Sequence, residues 1–127
     1  MVMTVLRRMD PWLPPLVLMG IIFFLSAQPN LNSGLGWIDH VGRKLVHASE
    51  YALLCLLWWR ALRTVANDQR ALLGAWTIAT AYAITDEFHQ RFVTGRHSTW
   101  VDVVIDSLGA GLAVLLIVRA RRETRVR

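Results

Sequence analysis

Cysteine is nearly absent from this chain of 127 residues, where Cys55 stands alone. That excludes an intrachain disulfide and a cysteine-built metal site, and Cys55, in the middle of an apolar run, reads as a small packing residue. No close His-x-x-x-His pair is present, and there is no nucleophile motif, Ser98 being an isolated hydroxyl. The long apolar runs also lack something. Residues 16–25 and 114–118 have no polar face, which a surface helix of a soluble bundle requires.

What the chain does have is apolar residues, 54% of the total, gathered into four stretches at 12–28, 45–62, 71–91 and 100–118. Each comes near the roughly 20 residues that a helix needs to cross the hydrocarbon core of a bilayer. The length fits one domain, 1–127. The expected fold is an all-α membrane protein, a four-transmembrane-helix bundle. Arg7 and Arg8 followed by an apolar run ending Ser26-Ala27-Gln28 also have the outline of a secretory signal peptide. Cleavage after Ala27, however, would put Leu25 where a small residue is preferred. Pro14 and Pro15 sit where a first helical turn tolerates them. A retained helix is the expectation.

The formal charge of +5 is distributed unevenly. With four spans, Arg7, Arg8, Arg60, Arg63, Arg70, Arg119, Arg121, Arg122, Arg125 and Arg127 fall on one side of the membrane. Only Arg43, Lys44, Arg91 and Arg96 fall on the other. The positive-inside rule then places both termini in the cytoplasm. The basic tail becomes an orientation signal and a contact for anionic lipid headgroups, and no nucleic-acid partner is expected. Trp12, Trp37, Trp58, Trp59, Trp76 and Trp100 mostly read as interfacial anchors.

Against this apolar background, Asp86, Glu87, His89, Gln90, Arg91, Arg96, His97, Asp102 and Asp106 crowd the junction of the last two stretches. Ionisable groups at a membrane span are costly and mark functional candidates. The loop 29–44 is rich in turn formers (Pro29, Asn30, Asn32, Ser33, Gly34, Gly36) and should be irregular, with His40 solvated, as His97 is in its own turn. The topology brings the start of span two, the end of span three and the start of span four to the outer face. At helical spacing, Lys44, His47 and Tyr51 share a face of span two, with Glu50 to one side. Asp86, His89 and Gln90 share a face of span three, bordered by Glu87, and Asp102, Asp106 and Gly109 form a stripe on span four. Facing one another is the best way to satisfy three such stripes. Gly109 and Gly111, with Ala110 and Ala113, point to close helix contact.

Residues 82–96, Tyr-Ala-Ile-Thr-Asp-Glu-Phe-His-Gln-Arg-Phe-Val-Thr-Gly-Arg, resemble the VanZ-like membrane proteins. The pattern continues with Asp102, Asp106 and Gly109. The block Lys44-Leu45-Val46-His47-Ala48-Ser49-Glu50-Tyr51 is similar to the family's Lys-x-x-His-x-x-x-Tyr element, and Ser26-Ala27-Gln28 to a shorter signature. The resemblance covers roughly residues 24–113. Arg43 stands where the family often has Asp, leaving Asp39 as the only nearby substitute, and Thr94 stands where Pro is common. The resemblance implies a bacterial inner (cytoplasmic) membrane protein. The family is named for a protein associated with resistance to the glycopeptide teicoplanin, and it carries no agreed reaction.

Three readings of the site follow. In the first, an anionic cell-envelope lipid or cell-wall precursor is bound or modified. Lys44, Tyr51, Gln90 and Arg96 would contact it, with Arg91 as a further cation, Arg being suited to bidentate contact. His47 and Glu87 would serve as acid and base, with Asp102 and Asp106 completing the catalytic set. In the second, His47, Glu87, Asp102 and Asp106 hold zinc or manganese, with His89 as a spare ligand, and the metal activates water in an intramembrane hydrolase. In the third, Asp102 and Asp106 only pair with Arg96 and Lys44 to fix helix packing, and the protein is a scaffold or interaction subunit. The sequence names neither a cofactor nor an oligomeric state.

Overall fold

Each of the four apolar stretches lies within or largely within a helix, and three of these helices have a local reason for where they start. The computed structural model describes residues 1–28, 34, 36–96 and 99–127. Pro29, Asn30, Asn32, Ser33, His97 and Ser98 lie outside the described residues. Among those described, the helices are α1 (Val2–Met9), α2 (Leu13–Ser26), α3 (Trp37–Leu62), α4 (Asp68–Gln90) and α5 (Trp100–Val126). Pro14 and Pro15 occupy the first turn of α2, where a missing backbone N–H costs nothing. Asn67 caps α4 by accepting the Arg70 backbone N–H at 3.0 Å. Thr99 caps α5, and its own backbone N–H donates to Asp102 Oδ2 at 3.3 Å, one arm of a capping box.

Two helices outrun the apolar stretches that predict them. α3 begins at Trp37 rather than 45, and α5 continues to Val126 rather than 118. Backbone hydrogen bonding and caps set a helix's length, whereas an apolar run marks only the part that avoids water. The first turns of α3 therefore carry Asp39, His40, Arg43 and Lys44, and Asp39 complements the positive end of the helix dipole. α1 is an addition. It meets α2 at a bend of 57°, and none of its residues is buried. At 100° per residue, Val2, Val5, Leu6 and Met9 form one face, opposite Thr4, Arg7 and Arg8.

α3, α4 and α5 pack on one another, and α2 lies against α3 and α4. The packing relies on small residues, which let helix backbones approach closely. Ala71, Ala75, Ala79 and Ala83, one turn apart along α4, are all buried. Gly109 of α5 rests on the backbone of α3, and a Cβ there would lie 2.3 Å from the Ala48 carbonyl oxygen. At Gly111 a Cβ would meet only Trp76 Nε1 at 3.7 Å, so the expected close contact is made by Gly109 and not by Gly111. Cys55 is buried in the core with Ile22, Tyr51 and Leu54.

Large apolar side chains instead face outward, among them Phe24, Leu53, Leu73, Ile84, Leu108 and Leu116. By length and apolarity, α5 qualifies as a membrane-crossing helix among the described residues, and α1 with α2 as one bent span. α3 and α4 fall outside that test, being diluted by polar residues such as His47, Glu50, Asp86 and Glu87. At the end of the bundle where α3 meets α4, Trp59 Nε1 donates to Asp68 Oδ1 at 3.2 Å, and Asp68 pairs with Arg121 of α5.

Candidate functional site

At the opposite end of the bundle, the first half of α3, the end of α4, the turn after it and the start of α5 enclose a cavity of about 270 Å³. Its wall includes Lys44, His47, Gln90, Arg96, Asp102 and Asp106, all singled out from the sequence. The helical spacings explain this convergence. Lys44 and His47 share a face of α3, and Asp102 and Asp106 share a face of α5.

Two of the expected residues stand elsewhere. Tyr51 lies one turn deeper on α3 and is fully buried, with its ring 6.4 Å from that of Tyr82. Glu87 is buried on the far side of α4, where it lines a separate groove with Arg91, Trp100 and Val103. The four residues considered as metal ligands (His47, Glu87, Asp102 and Asp106) accordingly do not gather. Among the described residues, no three His, Cys, Asp or Glu side chains are arranged to hold an ion. His89 also points away, stacked on Phe23 of α2 with ring centroids 4.2 Å apart.

Three charged groups in the cavity wall are held by hydrogen bonds. Lys44 Nζ donates to Asp102 Oδ1 at 2.7 Å. Asp102 Oδ2 accepts from the backbone N–H and from the hydroxyl of Thr99, both at 3.3 Å. Both oxygens of Asp102 are therefore engaged in joining α3 to α5 and in capping α5. Arg96 reaches across to α2, where Nε donates to the Gln28 carbonyl at 2.9 Å and Nη2 to the Leu25 carbonyl at 3.0 Å. These carbonyls belong to the C-terminal end of α2, where a cation is favoured by the dipole as well.

Beneath the cavity lies a second network. Asp86, 3% exposed, accepts on Oδ2 from Ser26 at 2.8 Å and from Gln90 at 3.0 Å. This ties α2 to α4. His47 Nδ1 stands 3.8 Å from Glu50 Oε2, too far for a hydrogen bond. His47 Nδ1 and Asp106 Oδ1 are buried without a hydrogen-bond partner among the described residues, whereas the buried Tyr51 hydroxyl adjoins the Asp86 carboxylate. Asp106 is only 4% exposed; the residue belongs to the cavity wall, but its unpartnered Oδ1 is itself buried. Such groups are rarely left unmatched when a site is filled.

The structure adds residues that the sequence reading passed over. His40 is not in an irregular loop but in the first turn of α3, and with Arg43 it lines the cavity. Their signal was present, since 40, 43, 44 and 47 are helically spaced. It was hidden by starting the helix at 45. Ser26 and Asp86 were visible as polar residues at the ends of apolar runs, yet their partnership spans 60 positions and leaves no trace in local spacing.

The family model described as VanZ/LLP1 matches residues 11–121, which takes in α2, α3, α4, the greater part of α5 and all the cavity residues named above. No curated protein and no solved structure matches the chain.

Proposed function

The chain belongs to the VanZ/LLP1 family, and we propose that it is a multi-pass protein of the bacterial inner membrane whose polar cavity binds the anionic headgroup of a cell-envelope lipid or lipid-linked cell-wall precursor. One observation carries this reading. Arg43, Lys44, His47 and Arg96 converge on a single cavity in a bundle whose outer surface is apolar. At about 270 Å³ the cavity suits a headgroup, being smaller than the roughly 300–1,000 Å³ that encloses a drug-sized ligand. Arg offers planar, bidentate donors for phosphate or carboxylate.

The bilayer placement draws support from α5, from the bent α1–α2 pair and from small-residue packing beneath outward-facing Leu, Ile and Phe. If α2, α3, α4 and α5 each cross once, ten arginines lie with both termini, and Arg43, Lys44, Arg91 and Arg96 lie opposite. That puts the termini in the cytoplasm and the cavity at the outer leaflet. A reporter fused after Arg127 and active only outside the cytoplasm would contradict this orientation. If the bound lipid is a cell-wall precursor, the protein would have a route to glycopeptide (teicoplanin) resistance.

The proposal is for binding rather than turnover. Glu87, the partner of His47 in the acid–base reading, opens onto a different groove. Some of the cluster serves packing. The Lys44–Asp102 pair and the Ser26–Asp86–Gln90 network join helices, which is what a scaffold reading asks of them. The two roles separate in one experiment. Lipid extracted with the protein in mild detergent is compared between wild type and an Arg43→Gln, Arg96→Gln double variant of unchanged helix content. Loss of a co-purifying anionic lipid in the variant is expected. Identical lipid in both preparations would favour the scaffold.

A further inference from the structure

We infer that a hydrocarbon chain of the bound lipid lies in an apolar groove between the end of α2 and the first half of α3, continuous with the headgroup cavity. This inference rests on the headgroup reading above. The groove has a volume of about 500 Å³, and Arg43, His47 and Arg96 belong to its wall as well as to that of the cavity. A ligand with one polar end and one apolar end can therefore occupy both without a break.

Beside the polar Ser26 and Gln28, part of the groove's remaining wall suits a chain. Leu25 of α2 and Ile38 and Val46 of α3 line it, and they are 44%, 48% and 56% exposed, so each keeps apolar surface available for contact. Gly42 also lines it, within α3. A Cβ at Gly42 would meet nothing within 4 Å, so no helix contact requires glycine there. A helix interior disfavours glycine, and the consequence of having it here is an open trough beside Val46.

Charge orders the two ends. The groove wall sets Asp39 and Glu50 against Arg43 and Arg96, and the cavity wall sets Asp102 and Asp106 against Arg43, Arg96 and Lys44, so the balance favours an anionic head on the cavity side. Arg96 marks the boundary. Its bonds to the Leu25 and Gln28 carbonyls hold its guanidinium between the two compartments. The ligand class is thus a long-chain alkyl or prenyl phosphate, or an anionic lipid of equivalent polarity, entering sideways from the bilayer.

The test uses the full chain in a neutral maltoside detergent, titrated with inorganic phosphate, butyl phosphate and dodecyl phosphate. The wild type should bind dodecyl phosphate about tenfold or more tighter than butyl phosphate, because burying methylenes is favourable. Gly42→Leu fills the trough, and leucine is the better helix former. This variant should lose most of that preference while its butyl phosphate affinity changes by no more than about twofold. Val46→Trp, at an exposed position of the same wall, provides a second filling variant. Equal affinity of the wild type for both alkyl phosphates would overturn the chain seat and leave the headgroup reading standing. So would an undiminished preference in both filling variants. No binding of any phosphate would overturn the headgroup reading and the chain seat with it.

Discussion

Gly109 on α5 touches the backbone of Ala48 on α3 so closely that a Cβ at position 109 would stand 2.3 Å from the Ala48 carbonyl oxygen and 2.9 Å from its carbonyl carbon. The obstacle is backbone rather than a flexible side chain, so the two helices themselves must separate to admit a methyl group. This crossing lies one turn from the buried Asp106 and one residue from His47. It therefore sets the width of the cavity as well as the stability of the bundle.

Gly109→Ala should destabilise the protein by about 1–3 kcal/mol or more, the range for overpacking a tight interior. Gly111→Ala, facing only Trp76 Nε1 at 3.7 Å, should be neutral or slightly stabilising through its better helix propensity. Thermal unfolding in detergent, run on both variants, distinguishes them.

Asp102 is expected to act through structure. Asp102→Asn keeps an acceptor for the Thr99 N–H and loses only the pairing with Lys44. Both side chains of that pair retain more than a quarter of their exposure, so the loss should be about 0.5–1 kcal/mol. Asp102→Ala also removes its arm of the capping box, while Thr99 still caps the helix, and should cost about 0.5 kcal/mol more. A double-mutant cycle with Lys44→Met measures the coupling directly.

Arg96 fastens the turn after α4 to the end of α2 through two charge-assisted hydrogen bonds. Arg96→Ala should accelerate amide hydrogen exchange in the last turn of α2, corresponding to a local loss of about 1–3 kcal/mol. Arg96→Lys should restore only part of the protection, since a single ammonium cannot reproduce the fork that reaches both carbonyls. Exchange in α5 beyond Gly109 should be unchanged.

Much of this arrangement could be read from the chain because helical spacing is local. Lys44 with His47 and Asp102 with Asp106 share faces by arithmetic alone, and the cavity contains all four. Gln90 and Arg96 followed from their place at the end of α4 and in the turn beyond it. What the chain hid depends on how far a helix turns and on long-range partnership. Glu87 borders the Asp86–Gln90 face by about 100° per residue, and that offset is enough to turn it into the groove shared with Trp100 and Val103. Tyr51 shares the face of His47 but lies deeper, inside the core. The Ser26–Asp86 bond and the reach of Arg96 to Leu25 join residues 60 and 71 positions apart, and no periodicity encodes them. His40 and Arg43 were concealed by equating the helix with its apolar part. α1 was overlooked because eight residues are too few to form a span.

The most direct measurement is made in the membrane itself, with a photo-crosslinking residue in place of His40, which is exposed and lines the cavity. Irradiation of bacterial membranes containing the full-length variant, followed by mass analysis of the purified protein, should yield an adduct with an anionic lipid. The adduct should disappear when Arg43 and Arg96 are also changed to Gln. An adduct that persists in that triple variant, or crosslinks confined to neutral lipid or to protein, would contradict an anionic headgroup site.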